Sequence, residues 1–255
     1  RSVLLGSAAE LRKDWPGAEK HYRDALALNK PTTAAIRLAV VLFRKRELPE
    51  AMQLLAKIQE DTSLSDEIRR EAFSTEIQFQ QISQANGAGL QKDQNAVYQR
   101  ALSVWPQAHL IRYQYAMRLF SQGQTNAALA ELQTAIKSAP TDVDALNAYG
   151  YTLAKELDKP RSALQPLQQA FLLAQNRAEV LDSYGYVLHR LGRNAEALPP
   201  LQKAWQLTPS AVTAGHLARV FLQMGDKQQA QDFLVKGLEL DGQEADLIAL
   251  KELLP

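Results

Sequence analysis

The chain has 255 residues, with 29 Lys and Arg against 28 Asp and Glu, so its formal net charge at pH 7 is +1. This balance lacks the basic surface of nucleic-acid-binding proteins, and we therefore expect no nucleic-acid partner. The absence of cysteine excludes disulfides, cysteine-ligated zinc and thiol catalysis, and it fits either the cytoplasm or the periplasm. No apolar run reaches the ~18 residues of a membrane-spanning helix.

The first 63 residues predict two helix pairs, each made of a helix A and a helix B. The small and apolar positions of the first pair are Leu5, Gly6, Ala18, Tyr22 and Ala25. The corresponding positions of the second pair are Leu38, Ala39, Leu42, Ala51, Leu55 and Ile58. Pro16 and Pro49 each open a helix B, where the missing N–H of proline has no cost.

Residues 64–107 depart from this pattern. The segment 66–84 has the apolar spacing of a helix but lacks small packing residues, and the following ANGAGLQKDQ predicts a loop. The stretch NAVYQRALSVWP then restores a helix B. We expect an extended helix A and a longer loop here. Drift of the repeat is favoured over a seam or a docking surface, because long loops cost little.

Residues 108–242 predict four regular helix pairs, and residues 243–255 predict a lone capping helix. The clearest repetition is between DALNAYGYTLAKELDKPRSALQPLQQAF and AEVLDSYGYVLHRLGRNAEALPPLQKAW, within residues 141–209. Gly150 and Gly185 recur on helix A, while Ala163 and Ala197 recur on helix B. Small residues at these positions let two helix axes approach closely.

A period of this size, built from two amphipathic helices, resembles the tetratricopeptide repeat of 34 residues. The resemblance covers nearly the whole chain. It implies an all-α fold, a right-handed superhelix (α-solenoid) of about seven helix-turn-helix repeats with a C-terminal capping helix, as a single domain over residues 1–255. Many functions share this scaffold, so the partner is determined by surface residues.

The concave face of such a superhelix is lined by helix A positions next to the packing face. Aromatic, Met and Arg side chains are enriched at the centres of interfaces. Tyr151 and Tyr186 occupy equivalent positions, and we expect an exposed ladder of rings for a protein or peptide partner, unless they pack against the next repeat. The predicted partner-binding groove comprises Tyr113, Met117, Phe120, Asn147, Tyr151, Lys155, Asp182, Tyr186, His189, Arg190 and Arg219.

Asp182, His189 and Arg190 share this face, which raises an acid–base interpretation. His189 lies two turns from Asp182, and no second histidine, nucleophile elbow or phosphate-binding loop accompanies the pair. We therefore predict no catalytic residue, no metal site and no cofactor, and we interpret these side chains as solvated polar groups of the groove. Tyr151 and Tyr186 also stand where a carboxylate-clamping groove needs Asn, which disfavours chaperone tails as ligands.

Three runs resemble a particular family, the outer-membrane tetratricopeptide lipoproteins of Gram-negative bacteria. They are DALNAYGYTLAKELDKPRSAL, LDSYGYVLHRLGRNAEAL and AGHLARVFLQMGDKQQA, and the family patterns are NALGYTLAD, LDSxGWVLYRLG and AHLGEVLW. His216 matches the histidine of the third pattern, while Tyr186, His189 and Arg219 depart from the family. The resemblance implies an adaptor, because the pseudomonad member binds a periplasmic carboxyl-terminal processing protease and presents cell-wall hydrolases to it.

The expected function is therefore a non-catalytic scaffold or adaptor in the bacterial envelope. The resemblance implies a periplasmic, outer-membrane-associated location, with any lipid anchor outside this sequence. Because the chain begins with Arg1, we expect it to be a fragment. The alternatives are a scaffold for an exopolysaccharide or other envelope assembly machine, a cytoplasmic adaptor, and a chain that only self-assembles.

Overall fold

A computed structural model describes residues 1–28, 32–85 and 95–253 of the protein. These residues form fifteen α-helices and contain no strand, so the predicted all-α fold is confirmed. In chain order the helices are α1 (Ser2–Leu11), α2 (Trp15–Ala27), α3 (Thr32–Arg44), α4 (Leu48–Glu60), α5 (Asp66–Ala85), α6 (Ala96–Val104), α7 (His109–Ser121), α8 (Thr125–Ser138), α9 (Val143–Lys155), α10 (Pro160–Leu173), α11 (Ala178–Arg190), α12 (Asn194–Leu207), α13 (Ala211–Gln223), α14 (Lys227–Leu240) and α15 (Ala245–Lys251).

The chain divides into two compact units, Arg1–Pro106 and Gln107–Pro255. In both units the helices follow one another as pairs, three in the first and four in the second, and each pair within a unit packs on the next. The odd-numbered helices α1 to α13 are the predicted A helices, and the even-numbered ones are the B helices. Helix α15 has no partner helix and packs on α13 and α14, as expected of a cap. The continuity of the array across the two units stays a prediction.

The helix pairs of the second unit are held together by small residues at the crossing points. Ala163 and Ala197 are fully buried on α10 and α12. A Cβ added at Gly150 would lie 2.5 Å from Cγ of Leu167, and one added at Gly185 would lie 2.5 Å from Cγ of Leu201. These distances are too short for real atoms, so the helices could not pack this closely with a larger residue at either glycine.

The first unit follows the same rule and contains the irregular repeat. Gly6 on α1 faces Tyr22 on α2. The predicted packing residues of both early repeats are buried, except Leu5, which is 43% exposed, so the prediction is wrong at that position. Helix α5 has 20 residues, whereas α3 has 13, so the predicted extension of this helix A is confirmed. The predicted loop falls mainly on residues 86–94, outside the described residues.

The turns after the A helices α9 and α11 each contain a residue in the left-handed conformation. Gly192, after α11, adopts φ +76°, a left-handed conformation that suits glycine at a helix C-terminus. In the equivalent turn after α9, Asp158 adopts φ +52°.

None of the described helices is long and apolar enough to cross a membrane.

Candidate partner-binding site

Three aromatic rings from three successive A helices form a row of tilted ring contacts in the second unit. The centroids of the Tyr151 ring on α9 and the Tyr186 ring on α11 lie 5.5 Å apart. The Tyr186 ring lies 4.5 Å from the imidazole of His216 on α13. The predicted contact between the two tyrosines is therefore present, but Tyr186 is only 7% exposed and lies within the packed layer. The expectation that both rings are exposed is wrong for Tyr186, because His216 covers it.

Tyr151 is the first of these three rings, and it is half-buried and lines a cavity. Burial disfavours the phenolate and raises the pKa of Tyr151 to about 12, although nearby Lys155 acts in the opposite direction. The hydroxyl of Tyr151 is thus protonated throughout the physiological range. This residue combines a ring face with a hydrogen-bonding hydroxyl, which suits it to a partner contact.

The cavity has a volume of about 400 Å³ and is lined by residues of α9 and α11 and by residues around the start of α13. Asn147 and Tyr151 of α9 form one wall, and Asp182 of α11 forms another. Its complete lining is Asn147, Tyr151, Ala178, Glu179, Asp182, Ser183, Thr208, Ser210, Val212 and Thr213. The side-chain oxygen of Asn147 is buried and has no hydrogen-bond partner among the described residues. Three predicted groove residues, Asn147, Tyr151 and Asp182, therefore line one cavity.

Asp182 forms a buried pair with His216, which the sequence analysis missed. Nδ1 of His216 lies 3.0 Å from Oδ1 of Asp182, and the two residues are 34 positions apart on neighbouring A helices. Asp182 is 7% exposed and His216 is 2% exposed, so the predicted solvation of Asp182 is wrong. The sequence signal for this contact is the spacing of 34 residues between Asp182 and His216, because residues one repeat period apart lie at equivalent positions of adjacent A helices.

The hydrogen bonds of this pair fix the donor and the acceptor. Nδ1–H of His216 donates to Asp182, because the carboxylate oxygen accepts. Nε2 of His216 is buried and has no partner among the described residues. Among the described residues, Asp182 has no ion pair with Lys or Arg, so its carboxylate has no cationic neighbour within salt-bridge distance.

An aspartate that orients a histidine is also a component of catalytic dyads. Here the free nitrogen of His216 is buried and contacts no hydroxyl within the described part of the chain, so it has no access to a substrate. Ser183 uses its hydroxyl to donate to the backbone oxygen of Glu179 at 2.8 Å. The described residues contain no group of His, Cys, Asp and Glu that could hold a metal ion. Within this pair, the remaining nitrogen of His216 is therefore not an accessible base.

Two predicted cations of the groove converge on the capping helix. Nζ of Lys155 lies 3.7 Å from Oδ2 of Asp246, in the first turn of α15. Nη2 of Arg219 lies 3.4 Å from Oδ1 of Asp246 and 3.2 Å from its backbone oxygen. Because these contacts are long and partly exposed, they contribute little stability. The side chains of Lys155 and Arg219 therefore lie beside α15, and neither residue lines the cavity.

Arg190 has a structural role that ties α11 to the turn after α9. Its Nη1 donates to the hydroxyl of Tyr186 at 2.7 Å and to the backbone oxygen of Ala154 at 3.2 Å. Its Nη2 donates to Oδ1 of Asp158 at 2.5 Å. Tyr186 and Arg190 are thus hydrogen-bonded to each other, and neither residue lines the cavity.

The three groove residues predicted on α7 stand apart from the cavity. Tyr113, Met117 and Phe120 are half-buried, and none of them lines it. Burial raises the pKa of the Tyr113 hydroxyl, with a further contribution from Asp144. Phe120 packs on the apolar cluster that includes Leu153 and Tyr186. A partner role for this part of the predicted groove stays a prediction.

His189 is buried at the end of α11, which contradicts its predicted solvation. It is 6% exposed, and its Nδ1 lies 2.8 Å from Oδ1 of Asn194. Burial lowers the pKa of His189, while the bond to Asn194 acts in the opposite direction. The neutral form is therefore favoured in the folded protein.

The lowered pKa of His189 predicts a pH dependence of stability. The unfolded chain takes up a proton on His189 at a higher pH than the folded chain does, so the free energy of unfolding should fall as pH drops below the ordinary histidine range of about 6.5. Urea denaturation at pH 7.5 and pH 5.5 should show this loss, and His189→Gln should reduce it. An unchanged pH dependence in the variant would contradict the assignment.

The first unit has a separate cavity of about 700 Å³ between α4, α5 and α6. Its floor is mainly apolar, with Met52 and Val97, and its buried acid is Glu76. Arg100 donates to both oxygens of Glu76, at 2.7 and 2.6 Å, and Gln59 donates at 2.7 Å. The carboxylate of Glu76 is therefore paired with an arginine, whereas Asp182 has no Lys or Arg partner among the described residues.

The fold resembles solved helical-repeat structures of low sequence identity. The structure of YrrB, described as a tetratricopeptide-repeat protein with an unusual peptide-binding site, matches with a TM-score of 0.57 and 20% identity, covering 78% of this chain and 97% of YrrB. PilF of Pseudomonas aeruginosa matches with a TM-score of 0.63 and 16% identity, over 87% of this chain and 96% of PilF. A tetratricopeptide-repeat protein from Parabacteroides merdae matches with a TM-score of 0.56 and 12% identity, over 99% and 97% of the two chains. At these identities the matches establish the fold alone.

Sequence comparison agrees with the structural one. No match was found among curated proteins. Family profiles of the tetratricopeptide repeat match residues 3–65 and 113–170, and a further profile of the same repeat matches residues 213–244. These ranges fall on helices α1 to α4, α7 to α10, α13 and α14, and they cover more than half of the chain. The chain therefore belongs to the tetratricopeptide-repeat family.

Proposed function

We propose that the protein is a non-catalytic scaffold that binds an extended segment of a partner protein on the A-helix face of its second unit. The tetratricopeptide fold is a scaffold for protein interactions. The observation that carries the proposal is the cavity of about 400 Å³ beside Tyr151, in which the side-chain oxygen of Asn147 is buried without a partner. A buried acceptor of this kind is stabilised when a ligand donates a hydrogen bond to it.

The dimensions of the cavity favour a peptide over the surface of a folded domain. A volume of about 400 Å³ lies near the lower end of typical ligand pockets and suits one or two side chains. The A helices α9, α11 and α13 all contribute to it or flank it, so an extended segment could contact successive repeats. Tyr151 is the aromatic anchor of this surface, because residues of this type dominate interface energetics.

The finer proposal is an adaptor of the bacterial envelope that binds a carboxyl-terminal processing protease or its cell-wall hydrolase substrates. Its support is the resemblance of three sequence runs, over residues 144–230, to outer-membrane tetratricopeptide lipoproteins. Two of these runs, on α9 and α11, contain residues that line the cavity. A scaffold for an exopolysaccharide assembly machine and a cytoplasmic adaptor are the alternatives.

The peptide-binding proposal is tested by selecting ligands from a displayed library of random 12-residue peptides on the full chain. We expect Tyr151→Ala to weaken the selected peptides by about 10-fold or more, because removing a central aromatic anchor costs on the order of 2 kcal/mol. The matched control is Leu172→Ala, which removes a 63% exposed apolar side chain from helix B α10. Circular dichroism verifies that both variants fold.

Two results would contradict the proposed site. Equal affinity for the parent chain and Tyr151→Ala would remove the cavity of the second unit from the binding surface. Loss of affinity only on Met52→Ala would move the site to the cavity between α4, α5 and α6.

The envelope proposal needs its own test, which is a pull-down from a bacterial envelope extract with the full chain and Tyr151→Ala. Recovery of a serine protease or a cell-wall hydrolase by the parent chain, and its loss with the variant, would support the adaptor at this site. Recovery of polysaccharide-assembly proteins instead would favour the alternative envelope scaffold.

A further inference from the structure

The wall of the second-unit cavity is rich in hydrogen-bond acceptors and contains no Lys or Arg. Asp182 and Glu179 contribute carboxylates, and Asn147 contributes its unpartnered oxygen. We infer that this cavity selects a cationic side chain, lysine or arginine, in the bound segment. The inference rests on the proposed peptide-binding function, and it specifies the chemistry that the ligand supplies.

Asp182 provides the main electrostatic argument. The residue is 7% exposed, and its only hydrogen bond in the described structure is the one that Oδ1 accepts from His216. A buried carboxylate is stabilised by a cation or by several hydrogen bonds, and among the described residues Asp182 has one hydrogen bond and no Lys or Arg partner. Because Asp182 lines the cavity, a ligand ammonium or guanidinium group there would supply the missing partner.

Asn147 provides a second acceptor in the lining, on a neighbouring A helix. It lies on α9, whereas Asp182 lies on α11, so one donor-rich group between the helices could reach both walls. An ammonium group has three donors and a guanidinium group has five, whereas a neutral hydroxyl has one. A ligand carboxylate would meet Asp182 as a like charge and leave Asn147 unsatisfied.

Tyr151 adds an aromatic surface that favours the same ligand. A cation near a tyrosine ring is attracted by the electron-rich face of that ring. The ammonium of Lys155 already lies 5.6 Å from the Tyr151 centroid, but Lys155 extends to Asp246 and does not line the cavity. Glu179 also lines the cavity, but Arg177 pairs with it at 2.5 Å, so Asp182 is the lining acid that has no Lys or Arg partner among the described residues.

The test uses two small probes and the full chain, followed by the backbone amide signals in NMR spectra. N-acetyl-lysine methylamide supplies the cation, and N-acetyl-norleucine methylamide is its neutral counterpart of similar shape. We expect saturable shifts at Asn147, Asp182 and Thr213 with the lysine probe, and an affinity at least 10-fold higher than for the norleucine probe. Asp182→Asn should abolish this preference, while its amide oxygen still accepts from His216.

The matched control is Asp144→Asn, which removes an exposed carboxylate of α9 that pairs with Arg177 and does not line the cavity. This control should retain the preference for lysine. If Asp182→Asn fails to fold, Asn147→Leu replaces it, and we expect it to weaken the lysine probe at least 3-fold. Equal binding of the two probes, or a lysine preference that survives in Asp182→Asn, would overturn the inference.

Failure of this inference is distinguishable from failure of the proposed function. Library peptides that depend on Tyr151 but lose no affinity when their lysine or arginine is replaced by norleucine or citrulline would leave peptide binding intact and remove only the cation selectivity. Peptides that do not depend on Tyr151 would remove the proposed site itself.

Discussion

Leu247→Ala should detach the capping helix and lower the free energy of unfolding of the second unit by about 2–5 kcal/mol, the range for truncating a buried leucine. Leu247 is fully buried, and its Cδ1 would lie 2.7 Å from a Cβ added at Gly237 of α14. Helix α15 has seven residues, and a helix this short is unstable in water without tertiary contacts. Its ordering therefore depends on Leu247 and Leu250.

The measurement for this prediction is urea denaturation combined with amide hydrogen exchange of the full chain. Exchange should accelerate in α15, and also in α13 and α14, whose apolar faces it covers. The control is Ile248→Ala on the same helix, where the side chain is 44% exposed and truncation should cost less than about 1 kcal/mol. An equal loss of stability in the two variants would contradict the capping role of Leu247.

Gly185→Ala should destabilise the protein by about 1–3 kcal/mol, although alanine is the better helix former by about 1 kcal/mol. The new Cβ would lie 2.5 Å from Cγ of Leu201 and 3.1 Å from the backbone oxygen of Ala197. Leu201 is fully buried, and the atom nearest to the new Cβ is its Cγ rather than the flexible end of the side chain. Helices α11 and α12 must therefore separate, which disturbs the helix that carries Asp182.

Gly215→Ala is the matched control for this substitution, because Gly215 is also a buried glycine within an A helix. A Cβ there would lie 3.4 Å from Cδ2 of Leu247, an ordinary contact, so the variant should be neutral or slightly stabilised. Gly185→Ala combined with Leu201→Ala should destabilise less than the sum of the two single variants, because the overlap with Leu201 is removed. Similar stabilities of the two single glycine variants would contradict the close-packing account.

The repeat architecture could be predicted from the sequence because the small and apolar residues that recur with the repeat period are also the residues that pack between the helices. Gly150 and Gly185 are small at the helix crossings, and the buried faces of both early repeats were predicted correctly except at Leu5, which is exposed. The extended helix α5 followed from the apolar spacing of residues 66–84, within the stretch that departs from the regular repeat. The division into two compact units had no comparable signal, since contacts between repeats depend on geometry that the period does not specify.

The candidate site was predicted only in part. Asn147, Tyr151 and Asp182 were assigned to one surface, and they do line one cavity. The burial of Tyr186, Asp182 and His189 was missed, because the exposure of an A-helix side chain depends on what the next A helix places above it. His216 covers Tyr186 and pairs with Asp182, and its role becomes visible only when residues one period apart are compared.

The most direct test of the binding surface is amide hydrogen exchange of the full chain, free and saturated with a peptide from the displayed library. Our account predicts slower exchange at the cavity wall, on α9 around Tyr151, on α11 around Asp182 and at the start of α13. Protection confined to α4, α5 and α6, with no change on α9 and α11, would contradict it.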